Sequence, residues 1–174
     1  MTFLRILGVL LTMGACTALG MYWANLGAFR LQDLLEFKKA LLILKSEIEY
    51  AATPLPEAMS NIALRVSNPV SKLFSNFADG LANNEGETAY RIWLAAIEAE
   101  KRGSFLVEND WEIISAFGKT LGYLDKQMQL DTIRFTVDYV EQQLEQLQTE
   151  NAKNQRMYRS LGVIGGVLLL VLFW

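Results

Sequence analysis

LDTIRFTVDYVEQQLEQLQ, residues 130–148, decides the fold class. Apolar side chains fall at Leu130, Ile133, Val137, Val140, Leu144 and Leu147, a 3-4-3-4-3 spacing that lays one stripe along an α-helix. A half-buried strand would alternate with period two, and this stretch does not. The register continues through Asn151, Asn154, Tyr158, Leu161, Gly165, Leu168 and Leu172. The sequence therefore predicts one helix from Lys126 to Trp174, ~74 Å long. The same spacing recurs at Leu34, Phe37, Leu41, Leu44, Ile48 and Ala51. That second stripe predicts a long N-terminal helix stopping at Thr53-Pro54, since a residue before proline disfavours the helical region. The two stripes are expected to face each other, with the helices antiparallel.

Between them the chain reads as short helices. Thr53 is the expected N-cap of a helix opening at Pro54, with Leu55, Met59, Ile62 and Val66 inward. Asn68-Pro69 repeats the start signal ahead of Val70, Leu73, Phe74, Phe77 and Leu81. After the turn cluster Asn83-Asn84-Glu85-Gly86, the residues Ala89, Trp93, Ala96 and Ile97 mark a fourth helix, ended by Gly103. Asn109 or Asp110 starts a fifth, with Ile113, Ile114, Phe117 and Leu121 inward. Gly122 and Asp125 separate it from the last. The expected fold is all-α: a small bundle of about six helices, its N- and C-terminal helices running into membrane segments.

Those segments are read from charge. Residues 6–29 carry no charge and are bounded by Arg5 and Arg30. Residues 160–174, SLGVIGGVLLLVLFW, carry none either. All 19 acidic residues and 15 of the 16 basic ones lie between Arg30 and Arg159. The expected organisation is a transmembrane helix over 6–29, a cytoplasmic helical domain over 30–158, and a short transmembrane helix over 160–174. About 20 apolar residues suffice to span. Fifteen helical residues rise only ~22 Å, so the second segment spans by thinning the bilayer or drawing in its flank. Arg30, Lys38, Lys39 and Lys45 follow the first segment, and Lys153, Arg156 and Arg159 precede the second. The positive-inside rule then puts the domain in the cytoplasm and both termini outside. Cys16, Gly20 and Ala24 recur every four residues, and Gly162 and Gly166 form a GxxxG; both patterns allow close packing of membrane helices. A second reading is a secreted or lipid-anchored helical domain, cleaved after Gly20 or at Cys16.

Chemistry is narrowly bounded. The chain has no histidine, which removes the commonest general base and transition-metal ligand. The single cysteine excludes an internal disulfide. The middle of the chain sums to −4, against the basic footprint that nucleic acid requires. Gly118-Lys119-Thr120 imitates the end of a phosphate-binding loop, but Ile113 stands where the earlier glycine belongs and no strand precedes it. The carboxylate pairs Glu47/Glu49, Glu85/Glu87 and Glu98/Glu100 are two residues apart, so they do not share a helix face and read as solvated surface. Neither catalysis, a cofactor, a metal nor a small-molecule substrate is expected.

Three segments carry a resemblance. They are Lys45-Ser46-Glu47-Ile48-Glu49-Tyr50-Ala51-Ala52-Thr53-Pro54-Leu55-Pro56-Glu57-Ala58, then Phe117-Gly118-Lys119-Thr120-Leu121-Gly122 with Asp125 and Gln129, then Asn154-Gln155-Arg156-Met157-Tyr158-Arg159-Ser160-Leu161-Gly162. With an apolar segment at each end, the chain resembles the stage III sporulation protein AB family over its whole length. The resemblance implies an endospore-forming bacterium and a place in the mother-cell membrane facing the forespore. It implies membership of a secretion-like channel complex, similarity to the cytoplasmic domains of type II secretion platform proteins, and a cytoplasmic secretion-type ATPase as partner. The expected role is a non-enzymatic scaffold. The docking surface is expected at the proline-fixed turn made by Tyr50, Thr53, Pro54, Leu55 and Glu57, because irregular preordered turns carry function more often than helix faces.

Overall fold

The computed structural model describes Gly14 and residues 26–51, 53–83, 86–122 and 125–173, with backbone alone over 151–173. Among the described residues there are six α-helices and no strand. We label them α1 (26–46), α2 (Leu55–Ala63), α3 (Val70–Asn83), α4 (Ala89–Glu100), α5 (Glu108–Gly118) and α6 (Lys126–Phe173). A π-turn over Glu47–Ala51 follows α1, and a 3-10 turn over Lys101–Gly103 follows α4. The chain divides into two compact units, Arg30–Leu144 and a second made of Met1–Phe29 with Glu145–Trp174.

The first unit holds an aromatic core. Phe37 of α1, Phe74 and Phe77 of α3, Trp93 of α4 and Phe117 of α5 are all buried. Trp93 is at the centre: the rings of Phe74, Phe77 and Phe117 meet it edge-on at centroid distances of 5.6, 5.0 and 5.9 Å. Edge-on contact sets the positive ring rim against a negative face, which adds to the gain from burial. The Trp93 indole N–H is satisfied too, donating to Ile114 O at 2.8 Å. That bond ties α4 to α5 through the middle of the core.

The two long stripes lie where their spacing puts them. Leu34, Phe37, Leu41 and Leu44 of α1 are buried, as are Leu130, Ile133, Val137, Val140, Leu144 and Leu147 of α6. Lys38 pairs with Glu141 at 2.6 Å, and Lys126 Nζ donates to Glu49 O at 2.7 Å. Rising numbers in α1 meet falling numbers in α6, so the helices are antiparallel.

Two expectations are corrected. Ile48 is only half-buried and Ala51 is exposed, so the α1 stripe ends at Leu44. The π-turn adds a residue to the turn and swings the following side chains off the stripe. Thr53 is not the N-cap of α2 either. Its hydroxyl donates to Glu47 Oε2 at 2.7 Å, and Pro54 (φ −56°, ψ 142°) takes the cap position with no side-chain bond.

No helix among the described residues is long and apolar enough to cross a membrane. The expected first membrane segment lies, Gly14 and 26–29 aside, outside the described residues, as do Cys16, Gly20 and Ala24. Gly162 and Gly166 fall within the helical backbone of α6.

Candidate functional site

The segment from Glu47 to Glu57 joins α1 to α2 through an irregular turn. Its bonds are local and specific. Thr53 holds Glu47, and Lys126 caps the carbonyl of Glu49 from the first turn of α6. Asp125 in turn accepts from Met128 N at 2.9 Å, capping α6. The turn is thereby fixed at both ends. Ala58 N donates to Pro54 O at 2.9 Å, the first bond of α2.

Of the five expected docking residues, three reach the surface. Tyr50 is 80% exposed, and Pro54 and Glu57 are also exposed. Thr53 and Leu55 are half-buried, Thr53 by its bond to Glu47. An 80% exposed tyrosine presented by a rigid turn offers an aromatic face and a phenolic hydroxyl for association. The flanking Glu49 and Glu57 give that surface a negative cast. Among the described residues no nucleophile and base are brought together here.

A second polar constellation is absent from the sequence reading. Arg30 and Asp33, three residues apart at the start of α1, grip the connection between α4 and α5. Arg30 Nε and Nη2 donate to the two Asp110 oxygens at 2.8 and 2.9 Å, a bidentate pair whose carboxylate is wholly buried. Asp110 Oδ2 also accepts from Val107 N at 3.0 Å, closing the first turn of α5. Asp33 accepts from Phe105 N at 2.9 Å and from Ser104. Burial pushes the Asp33 carboxyl above its ordinary value of 3.8, against the pull of those two bonds. The signal was present in the sequence: Asp33 and Asp110 lie on otherwise apolar stripes, where a charge requires a partner. The partners stand 72 and 80 residues away, which no local pattern reveals.

The remaining motifs resolve as structure. Gly118-Lys119-Thr120 closes the C-terminal end of α5, where carbonyls rather than N–H groups face outward. Thr120 Oγ1 donates to Phe117 O at 2.8 Å. A phosphate calls for the opposite helix end. Among the described residues no cluster of three His, Cys, Asp or Glu could hold a metal ion. Glu87 pairs with Arg91 at 3.2 Å, and Glu100 accepts from Asn76 at 3.1 Å.

Known proteins match this chain over most of its length. The family described as Stage III sporulation protein AB matches residues 5–174. Stage III sporulation protein AB of Bacillus subtilis (strain 168) is 31% identical over 169 residues, covering 97% of this chain and 98% of that protein. A solved structure of Stage III sporulation protein AB superposes with a TM-score of 0.66 at 28% identity, covering 71% of this chain and 97% of the other.

Proposed function

The chain belongs to the stage III sporulation protein AB family, and from that premise we propose that it is a non-enzymatic membrane scaffold in the mother cell–forespore channel complex. In this reading residues 6–29 and 160–174 are membrane spans, the 30–158 domain is cytoplasmic, and both termini are outside. The membrane is the mother-cell membrane facing the forespore. The domain docks a cytoplasmic secretion-type ATPase, with other components of the stage III sporulation channel complex as neighbours.

The observation that carries the reading is the Glu47–Glu57 turn. It lies at the end of α1 far from Arg30, ~26 Å along the helix from the end of the apolar run. There it holds Tyr50 out at 80% exposure on a π-turn, a distortion that recurs at functional sites. A scaffold that recruits a soluble partner needs a rigid feature away from lipid.

Glu57→Arg tests it. The residue is exposed in the first turn of α2, so reversal removes a favourable dipole contact worth about 0.3–1 kcal/mol and little else. Membranes carrying the variant should recruit the secretion-type ATPase less than wild-type membranes do, and sporulation should fall with it. Full recruitment and sporulation would move the docking site elsewhere.

A further inference from the structure

Helices α4 and α5 run antiparallel, linked by the Trp93–Ile114 bond and by Lys101 Nζ to Glu108 Oε1 at 2.8 Å. A surface groove of about 420 Å³ lies along them, with Tyr90, Leu94, Ile97 and Trp111 as its apolar lining. Trp111 is 4% exposed, and its indole N–H has no acceptor. It is the single buried side-chain polar atom so placed among the described residues. The contrast with Trp93, whose N–H is satisfied in the same helix pair, is direct. Buried donors are nearly always paired, and an orphan asks for a reason.

The charges give the groove a sign. Glu108 occupies Lys101, whose ammonium it holds above the ordinary value. Glu98 on α4 also acts on Lys101 through its charge, and Glu112 on α5 lines the groove with no ion pair among the described residues. The two α4–α5 links set the register and bring these carboxylates within about one helical turn of each other along the groove. A single free lysine, Lys119, lines it as well. Facing carboxylates repel phosphate-bearing partners, both lipid and nucleic acid. They suit a lysine or arginine set beside apolar side chains.

We propose that the α4–α5 groove is a docking site for a segment of a partner protein. The segment inserts an apolar side chain against Leu94, Ile97 and Trp111. It sets a lysine or arginine between Glu98 and Glu112, and brings an oxygen to the Trp111 N–H. The site is independent of the Glu47–Glu57 turn and stands whether or not that turn binds an ATPase.

A benzophenone amino acid placed at Leu94 in the full-length chain, irradiated in sporulating cells, tests the proposal. The expected adduct is a protein whose cross-linked peptide carries lysine or arginine next to apolar residues. Its yield should fall about tenfold or more in Glu98→Lys/Glu112→Lys, since like charges face each other in that variant. Trp111→Phe keeps a ring but removes the N–H, so it should lower the yield several-fold with little change in melting temperature. Should that variant melt early, the exposed pair of charge reversals decides alone. Absence of an adduct, an adduct indifferent to charge reversal, an acidic cross-linked peptide, or attachment to lipid or to a second copy of this chain would each overturn the proposal.

Discussion

Gly118 and the indole of Trp93 compete for one place. A Cβ on Gly118 would meet Trp93 Cδ1 head-on and stand 2.6 Å from its Cγ. The indole cannot retreat, because Ile114 O holds its N–H and three phenylalanines enclose its ring. Helix propensity alone says that Gly118→Ala should stabilise α5 by up to ~1 kcal/mol. Packing says the reverse, at about 1–3 kcal/mol or more for overfilling a close-packed core. Packing wins, so we expect a fall in melting temperature of roughly 4 °C or more. A rise would mean that the Trp93 ring has room to move. Asp33 gives a pH-dependent counterpart. Its carboxyl titrates above 3.8 in the folded chain, so the folded state binds more protons than the unfolded one. Stability from this group is therefore highest below 3.8 and is lost as pH rises through the raised folded value. Asp33→Asn keeps an acceptor for Phe105 N and removes the charge. Its melting temperature should gain on wild type as pH climbs from 3 to 7; parallel pH curves would show that Asp33 ionises freely. Arg30→Ala acts in the opposite sense, stranding the buried Asp110 carboxylate at a cost of about 3–5 kcal/mol.

At the scale of elements, the pairing of α1 with α6 is what the stripes encode. Leu41 is 0% exposed and Val140 is 2%. Leu41→Asp and Val140→Asp each bury an unpaired charge, and each should cost upward of 4 kcal/mol in thermal or urea unfolding. Wild-type melting by either would remove that residue from the core. The stripes were legible because a helix face repeats every few residues and needs no distant partner to be seen. The aromatic hub was legible in part: Phe37, Phe74, Phe77, Trp93 and Phe117 each stood on an expected inward face, while their meeting at Trp93 did not show in any one helix. What failed to show was whatever depends on a distant partner or a change of helical pitch. The π-turn took Ile48 and Ala51 off the stripe. Thr53 was drawn to Glu47 rather than to α2. Arg30, read as the flank of an apolar run, proves to be half of a buried ion pair. For the candidate docking turn, the sequence supplied the residues and the fold supplied their exposure, with Tyr50 outward and Leu55 half-turned in.

For the whole molecule, topology is the property on which the proposed role stands. A cytoplasmic ATPase reaches this domain only if the domain faces the cytoplasm. Seven lysines and arginines, Arg30, Lys38, Lys39, Lys45, Lys153, Arg156 and Arg159, flank the two uncharged runs on the domain side, against Arg5 on the other. Orientation follows such a bias when the residues lie within about 15–20 positions of the span. The last run is short, 15 residues at ~1.5 Å each against a hydrocarbon core of ~30 Å. Mismatch of that size is met by local thinning at a fraction of a kcal/mol per Å, small beside the gain from burying nine leucines, valines and isoleucines. Spanning should therefore win. Compartment reporters fused at Gly86 and after Trp174 in the full chain should report opposite sides, cytoplasm for the first and exterior for the second. If both report cytoplasm, residues 160–174 enter the membrane without crossing it. If Gly86 reports the exterior, the charge argument fails and ATPase docking fails with it. N-terminal sequencing of the membrane-bound chain completes the test, because an intact Met1 excludes cleavage after Gly20 or at Cys16 and with it a released or lipid-anchored domain.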